Sequence, residues 1–179
     1  MRTFILYSTK GSTDPNFSLD ELTKAGRIDL VARFITSSIY TSHKMRSDTR
    51  VFIVLNGPPS GPVVLKIDSS IRGLGVDERS VATWIREQLK NPTDTRSFEQ
   101  LLNNINKEGT IYLLKEDGRD INNIKLDENP IFVIGDYKDL PKDQEAATLQ
   151  LGKSLSLGST SYLSSSCISI IHWMLDQHI

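Results

Sequence analysis

Thiol chemistry is almost absent from this chain: Cys167 is the one cysteine among 179 residues. One Cys closes no disulfide within the chain and builds no cysteine-based zinc site, and it suits a reducing, cytoplasmic setting. Long hydrophobic runs are missing as well. None approaches the roughly 20 apolar residues of a membrane helix, and the run at residues 4–7 is too short for a signal-peptide core. No GxGxxG opens a helix behind the first strand and no GxxxxGK[ST] loop occurs, which removes the common dinucleotide and triphosphate cradles. His43, His172 and His178 have no partners at metal-ligand spacing, so no metal is expected. His172 falls on an apolar helix, as a core or interface residue. Ser164-Ser165-Ser166-Cys167 lacks the pattern of a nucleophile elbow. Nor is there a large net charge. The total is −1, yet residues 1–79 hold 11 Lys+Arg against 8 Asp+Glu, while residues 80–179 hold 10 against 14. Any polyanion site is therefore expected in the first half.

What is present is a regular alternation of apolar runs. Hydrophobic content of 38% and charged content of 24% fit an ordinary globular protein, and the length fits one domain over residues 1–179. Residues 131–134 form an apolar run stopped by Gly135-Asp136, and Leu155-Ser156-Leu157 a shorter one stopped by Gly158-Ser159. Such runs read as buried strands of a parallel sheet, and ligands of open α/β sheets sit beyond the carboxyl ends of these strands. The glycines suit a ligand cradle made of backbone or, equally, plain turns. Upstream, the pattern predicts strands over 3–7, 51–55, 63–67 and 111–114, the last followed by the turn Glu116-Asp117-Gly118. Helices are predicted from Gly26 to about Ser42, over 77–89 with Asp77 as N-cap, over 98–105, over 140–149 and over 162–177. The last carries an apolar surface wider than one stripe, which predicts burial on two sides, against the sheet and against a partner subunit. Strands alternating with helices give an α/β fold, a mostly parallel sheet flanked by helices.

Asp29 and Arg33 lie four apart on the first helix. They are either an ordinary i,i+4 ion pair or a carboxylate and a guanidinium shown together to a substrate. Arg27, Lys44, Arg46 and Arg50 concentrate basic charge in the same segment. The pattern of basic residues suits a phosphate backbone.

Several of these segments, taken in order, carry a resemblance. They are residues 13–19, Gly26-Arg27-Ile28-Asp29-Leu30 with Arg33, Ser42-His43, Asn56-Gly57-Pro58-Pro59, Asp77-Glu78-Arg79-Ser80, Thr110–Leu114, IFVIGDYKDL and LSLGSTSYLSSSCISIIHWMLD. Together they cover nearly the whole chain, and the chain resembles the archaeal tRNA pseudouridine N1-methyltransferases of the SPOUT, or α/β-knot, class. The resemblance implies a C-terminal trefoil knot over about residues 110–179 and S-adenosylmethionine as methyl donor. It places the cofactor on Leu114, Gly135, Leu157, Gly158, Ser159, Tyr162, Leu163 and Cys167, the last either touching the ligand or filling core. It further implies N1-methylation of pseudouridine 54 in the tRNA T-loop by a cytoplasmic homodimer joined through the C-terminal helix. A proton acceptor is needed at N1, for which Asp29 is the candidate, with Arg33, Arg27 and Arg72 holding phosphate or carbonyl charge. A ribosomal RNA pseudouridine, or a non-catalytic RNA-binding role, remain the alternatives. Where that family tends to have histidine after Gly-Asp, this chain has Tyr137.

Overall fold

The computed structural model describes residues 1–177, so His178 lies outside the described residues. Its elements follow the expected alternation: β1 (Arg2–Ser8), α1 (Ile28–Ile39), β2 (Thr49–Leu55), β3 (Val63–Asp68), α2 (Glu78–Lys90), α3 (Phe98–Ile105), β4 (Thr110–Asp120), β5 (Pro130–Gly135), α4 (Lys142–Leu151), β6 (Lys153–Ser156) and α5 (Ser164–Asp176). The six strands form one sheet in the order β3-β2-β1-β5-β4-β6. Only the β2–β3 pair is antiparallel. Successive residues of a strand point to opposite faces, and each face finds its own cover. Phe4, Leu6, Val51, Ile53 and Phe132 join the apolar sides of α1, α2 and α5 in one cluster. Ile5, Val54, Ile111, Leu113 and Val133 join those of α3 and α4 in another. The central strands are thus buried on both faces, which is why they read as unbroken apolar runs.

Several boundaries differ from the sequence expectation, among them the end of α1, at Ile39 rather than about Ser42, and the span of α4, two residues later than expected. Helix α1 starts at Ile28 because Gly26 and Arg27 both take left-handed backbone, at φ of 69° and 68°. A Cβ on Gly26 would fall 1.6 Å from the Lys10 carbonyl oxygen, so only glycine fits there. Glu116-Asp117-Gly118 is not a turn: β4 runs on to Asp120, with its register against β6 broken between Leu114 and Arg119. The absent side chain of Gly118 lets the Leu155 backbone approach, since a Cβ there would lie 2.6–2.8 Å from it. Helix α5 begins at Ser164, which leaves Tyr162 and Leu163 in the preceding loop. Among the described residues no helix is long and apolar enough to cross a membrane.

Helix α5 lies on α1 and is fastened at its far end. His172 is 5% exposed. Arg2 donates to its Nδ1 at 3.0 Å, which leaves Nε2–H to donate to the Ser38 carbonyl at 2.8 Å. Asp176 accepts from Arg2 at 2.8 Å and from Arg46 at 2.5 and 3.1 Å. The imidazole must therefore be neutral, and burial, with Arg46 nearby, pushes its pKa down to about 4 from 6.5. A depressed histidine pKa means that the unfolded chain takes up a proton the folded one refuses, so stability is complete above pH 6.5 and is lost as pH falls toward 4. The loss should be on the order of 3 kcal/mol. Asp176, held down to about 2 from 3.8 chiefly by hydrogen bonding from Arg46, adds a second loss below pH 3.8. Urea unfolding followed across pH should show both phases. His172→Gln should flatten the first, and an unchanged slope between pH 6.5 and 4 in that variant would assign it to other groups.

Candidate active site

A wide opening lies at the carboxyl ends of the parallel strands, where the sequence pattern placed a ligand. It is a cavity of about 340 Å³ with walls from Leu6 of β1, Leu30 of α1, Leu114 of β4, Ile134 and Gly135 of β5, and Leu155 of β6. Three loops complete it. The β4 irregularity contributes Lys115 and Glu116, the segment after β5 contributes Asp136 to Asp139, and the segment after β6 contributes Leu157, Gly158 and residues 160–165 with Cys167.

Hydrogen bonds lock these loops together. Ser156 Oγ donates to the Glu116 carbonyl at 2.9 Å and accepts from Gly158 N–H at 3.0 Å, joining the third loop to the first. Ser164 Oγ donates to the Gly135 carbonyl at 2.7 Å, joining the third to the second. The Asp136 carboxylate accepts from Thr9 N–H and from Lys138 N–H, both at 2.9 Å, joining the second to the loop after β1. Sequence reading found none of these serines or Asp136, because a short polar residue beside a glycine looks like any turn residue.

Of the cofactor positions expected, Leu114, Gly135, Leu157, Gly158, Tyr162, Leu163 and Cys167 all line the cavity, whereas Ser159 does not. Gly158 sits at φ 115°, and a Cβ on it would meet nothing within 4 Å. The thiol of Cys167 is pushed up to about 11 by burial, so it stays protonated and serves as a small apolar wall rather than a nucleophile. The ionised groups are unevenly matched. Lys115 is taken up by Glu145 and Asp117, while Glu116, Asp136 and Asp139 have no cationic partner among the described residues. Burial raises the carboxyl pKa of Asp136 above its usual range.

Asp29 and Arg33 do come together, and Arg27 joins them. Arg27 donates to both Asp29 oxygens at 2.9 Å and Arg33 Nη2 donates at 2.6 Å, so a 5% exposed carboxylate is held between two guanidiniums. The hydrogen bond from Arg27 first, with that from Arg33, holds the Asp29 pKa below the usual carboxylate value. Arg33 also reaches Glu78 at 3.1 Å. The cluster adjoins the cavity, since the Arg27 guanidinium lies 5.5 Å from the centre of the Tyr137 ring.

The remaining basic candidates are dispersed. Lys44, Arg46 and Arg50 lie in and just beyond the segment that leads into β2, at the amino ends of the parallel strands and so on the edge opposite the cavity. Arg46 is bound to Asp176, and Arg50 to Glu108 at 2.7 Å. Arg72 is on the loop after β3 and touches only the carbonyls of Ser69 and Ile71. The positive excess of the first half is therefore not one patch. A parallel strand carries its two ends to opposite edges of the sheet, and a charge count along the chain cannot see that.

A cavity at this edge serves many chemistries, and comparison with known proteins decides among them. A family model described as "Putative SAM-dependent RNA methyltransferase" matches residues 1–179. The chain belongs to this family. Proteins named tRNA (pseudouridine(54)-N(1))-methyltransferase are similar to this methyltransferase from end to end. The one from Thermococcus kodakarensis is 36% identical, over 98% of this chain and 99% of that protein. The one from Methanocella arvoryzae is 34% identical, over 99% and 100%. Among solved structures, that of Archaeoglobus fulgidus Nep1 bound to S-adenosylhomocysteine has the same fold, with a TM-score of 0.73 over 98% of this chain and 97% of that one, at 13% identity.

The methyltransferase has residues that suit S-adenosylmethionine. Leu114, Leu157 and Leu163 offer apolar walls for the adenine, Gly158 leaves open space beside its backbone, and the carboxylates without cationic partners suit a sulfonium. Gly158→Val would push methyl groups into that space and force a branched side chain to a positive φ. Titration calorimetry with S-adenosylmethionine should show at least a roughly tenfold loss of affinity, with Gly158→Ala intermediate. Unchanged affinity in a folded valine variant would remove the third loop from the site.

Proposed function

We propose that this methyltransferase transfers the methyl group of S-adenosylmethionine to N1 of pseudouridine 54 in the T-loop of tRNA. What carries the reading is identity of 36% and 34% along the full length to proteins that bear this name. S-adenosylmethionine supplies an electrophilic methyl group on a sulfonium. Transfer to N1 forms a C–N bond as the C–S bond breaks, and the N1 proton must pass to a base.

Asp29 was the sequence candidate for that base, and its surroundings argue otherwise. A carboxylate stabilised by two guanidiniums is a weak proton acceptor. We assign it instead the positioning of Arg27 and Arg33, which then meet the uracil carbonyls or a neighbouring phosphate. Asp136 suits the proton better. It borders the cavity, is bonded only to backbone N–H groups and by Ser8, and has its pKa raised by burial. The cavity walls hold donor and acceptor in line, so that proximity does the rest.

The reading also includes the trefoil knot and the homodimer of the SPOUT class, in the cytoplasm where tRNA is found. The knot is supported by the path of the last loop, which crosses from the edge strand β6 over the ends of β4 and β5 before α5 returns to α1. The dimer is supported by apolar exposure on α5 and just before it, where Trp173 is 65% and Leu163 58% exposed. Soluble monomers avoid such patches.

Single-turnover transfer of labelled methyl to tRNA carrying pseudouridine 54, beside a transcript with uridine there, tests the reaction. Only the first should be methylated, and equal labelling of both would sink the specificity. Asp136→Asn should slow transfer by roughly a hundredfold or more. It should also erase the rise in rate with pH that deprotonation of this carboxyl gives the wild type. Asp29→Asn should raise the tRNA concentration needed for half-maximal rate while leaving the shape of the pH profile. The dimer is checked by light scattering. A dimeric wild type and a monomeric Trp173→Glu are expected, and a monomeric wild type at micromolar concentration would exclude it.

A further inference from the structure

The transfer chemistry leaves Tyr137 unused, yet it lines the cavity with 43% of its surface exposed. Its hydroxyl makes no hydrogen bond among the described residues, so the phenol is not held there by its polar end. What surrounds the ring is positive charge. The Arg27 guanidinium lies 5.5 Å from the ring centre and the Lys138 ammonium 5.7 Å. These two cations differ in freedom. Arg27 is fixed by two bonds to Asp29, and its backbone is itself held in the left-handed region at φ 68°. A non-glycine residue keeps that conformation only when its surroundings over-determine it, and such residues cluster at functional sites. Lys138 has no side-chain hydrogen bond or ion pair among the described residues.

From this geometry we propose that Tyr137 is a stacking platform for an unpaired nucleobase of the RNA, backed by Arg27 and flanked by Lys138, at the mouth of the methyl-transfer cavity. An aromatic face interleaved with cations is the recurrent means of holding single-stranded nucleotides: the base lies on the ring and the phosphate meets the charge. Arg27 is immobile and polarises the ring. Lys138 is the movable member, and an arriving base displaces its ammonium toward the adjoining phosphate. The class of ligand is therefore a flipped or loop nucleotide rather than a duplex, which would offer no free base face at this depth. The proposal rests on the RNA-methylating reading above, and names how that same site grips its substrate.

The test uses fluorescence anisotropy of a labelled tRNA T-arm oligonucleotide carrying pseudouridine, bound to protein saturated with S-adenosylhomocysteine. Tyr137→Ala should weaken binding by about tenfold or more, whereas Tyr137→Phe, which keeps the ring, should stay within about twofold. Affinity for S-adenosylmethionine, measured by calorimetry on the same variants, should not move. Lys138→Ala should lower the slope of log affinity against log salt by about one. The alanine variant binding RNA within about twofold of wild type would overturn the platform. So would its losing cofactor affinity in step with RNA affinity, since the ring would then be a cofactor wall. If the wild type binds this RNA through Tyr137 but transfers no methyl group to it, the assigned reaction fails and the platform stands.

Discussion

The described residues after β6, 157–177, must connect the two ends of a constraint. Strand β6 is the outermost strand beside β4, whereas α5 packs on α1 over β1, several strands away. The intervening segment runs across the carboxyl ends of β4 and β5. That crossing makes the third wall of the cavity, and the bonds from Ser156 and Ser164 to the Glu116 and Gly135 carbonyls hold it there. The site is thus a by-product of where the final helix has to lie. The shortness of β6 and the glycine at 158 follow from the same need to turn at once.

Much of this was legible in the chain because a strand buried on both faces cannot disguise itself. Residues 131–134 and 51–55 are apolar without a break, and the glycines behind them mark the edge at which the cavity opens. The expected cofactor positions came from that logic and from the resemblance, and all but Ser159 line the cavity. Two kinds of information were not legible. Gly118 reads as a turn glycine in one dimension, but in three it allows a neighbouring strand to approach, which depends on a residue 37 positions later. Likewise Arg46 and Arg50 belong to a basic segment in sequence, yet each faces a carboxylate far along the chain. Only tertiary structure tells which charges are spent on one another.

That distinction also sorts the two aspartates of the site. Asp29 sits beside an arginine two residues before it and another four residues after it, so its state was set by the helix that carries it. Asp136 received its character from burial and from the backbone of a distant loop. Local sequence identified the carboxylate with the conspicuous neighbours, and the fold favours the one without them. Charge pairs that look most like machinery are often the scaffold, and a half-buried acid whose pKa is raised by burial is a stronger base than one held between two guanidiniums.

The bond between Arg2 and Asp176 joins residues 174 positions apart. During synthesis, β1 leaves the ribosome first, yet it belongs between β2 and β5 in the finished sheet, and Arg2, which pairs early with Asp48, meets Asp176 and His172 only once the final helix has emerged. A nascent fragment that stops before β6 lacks the third wall of the cavity. Assembly has to wait for release of nearly the entire polypeptide, and the early strands meanwhile expose long apolar edges that need shelter from one another. Strands left unpaired while the later ones are still missing invite aggregation.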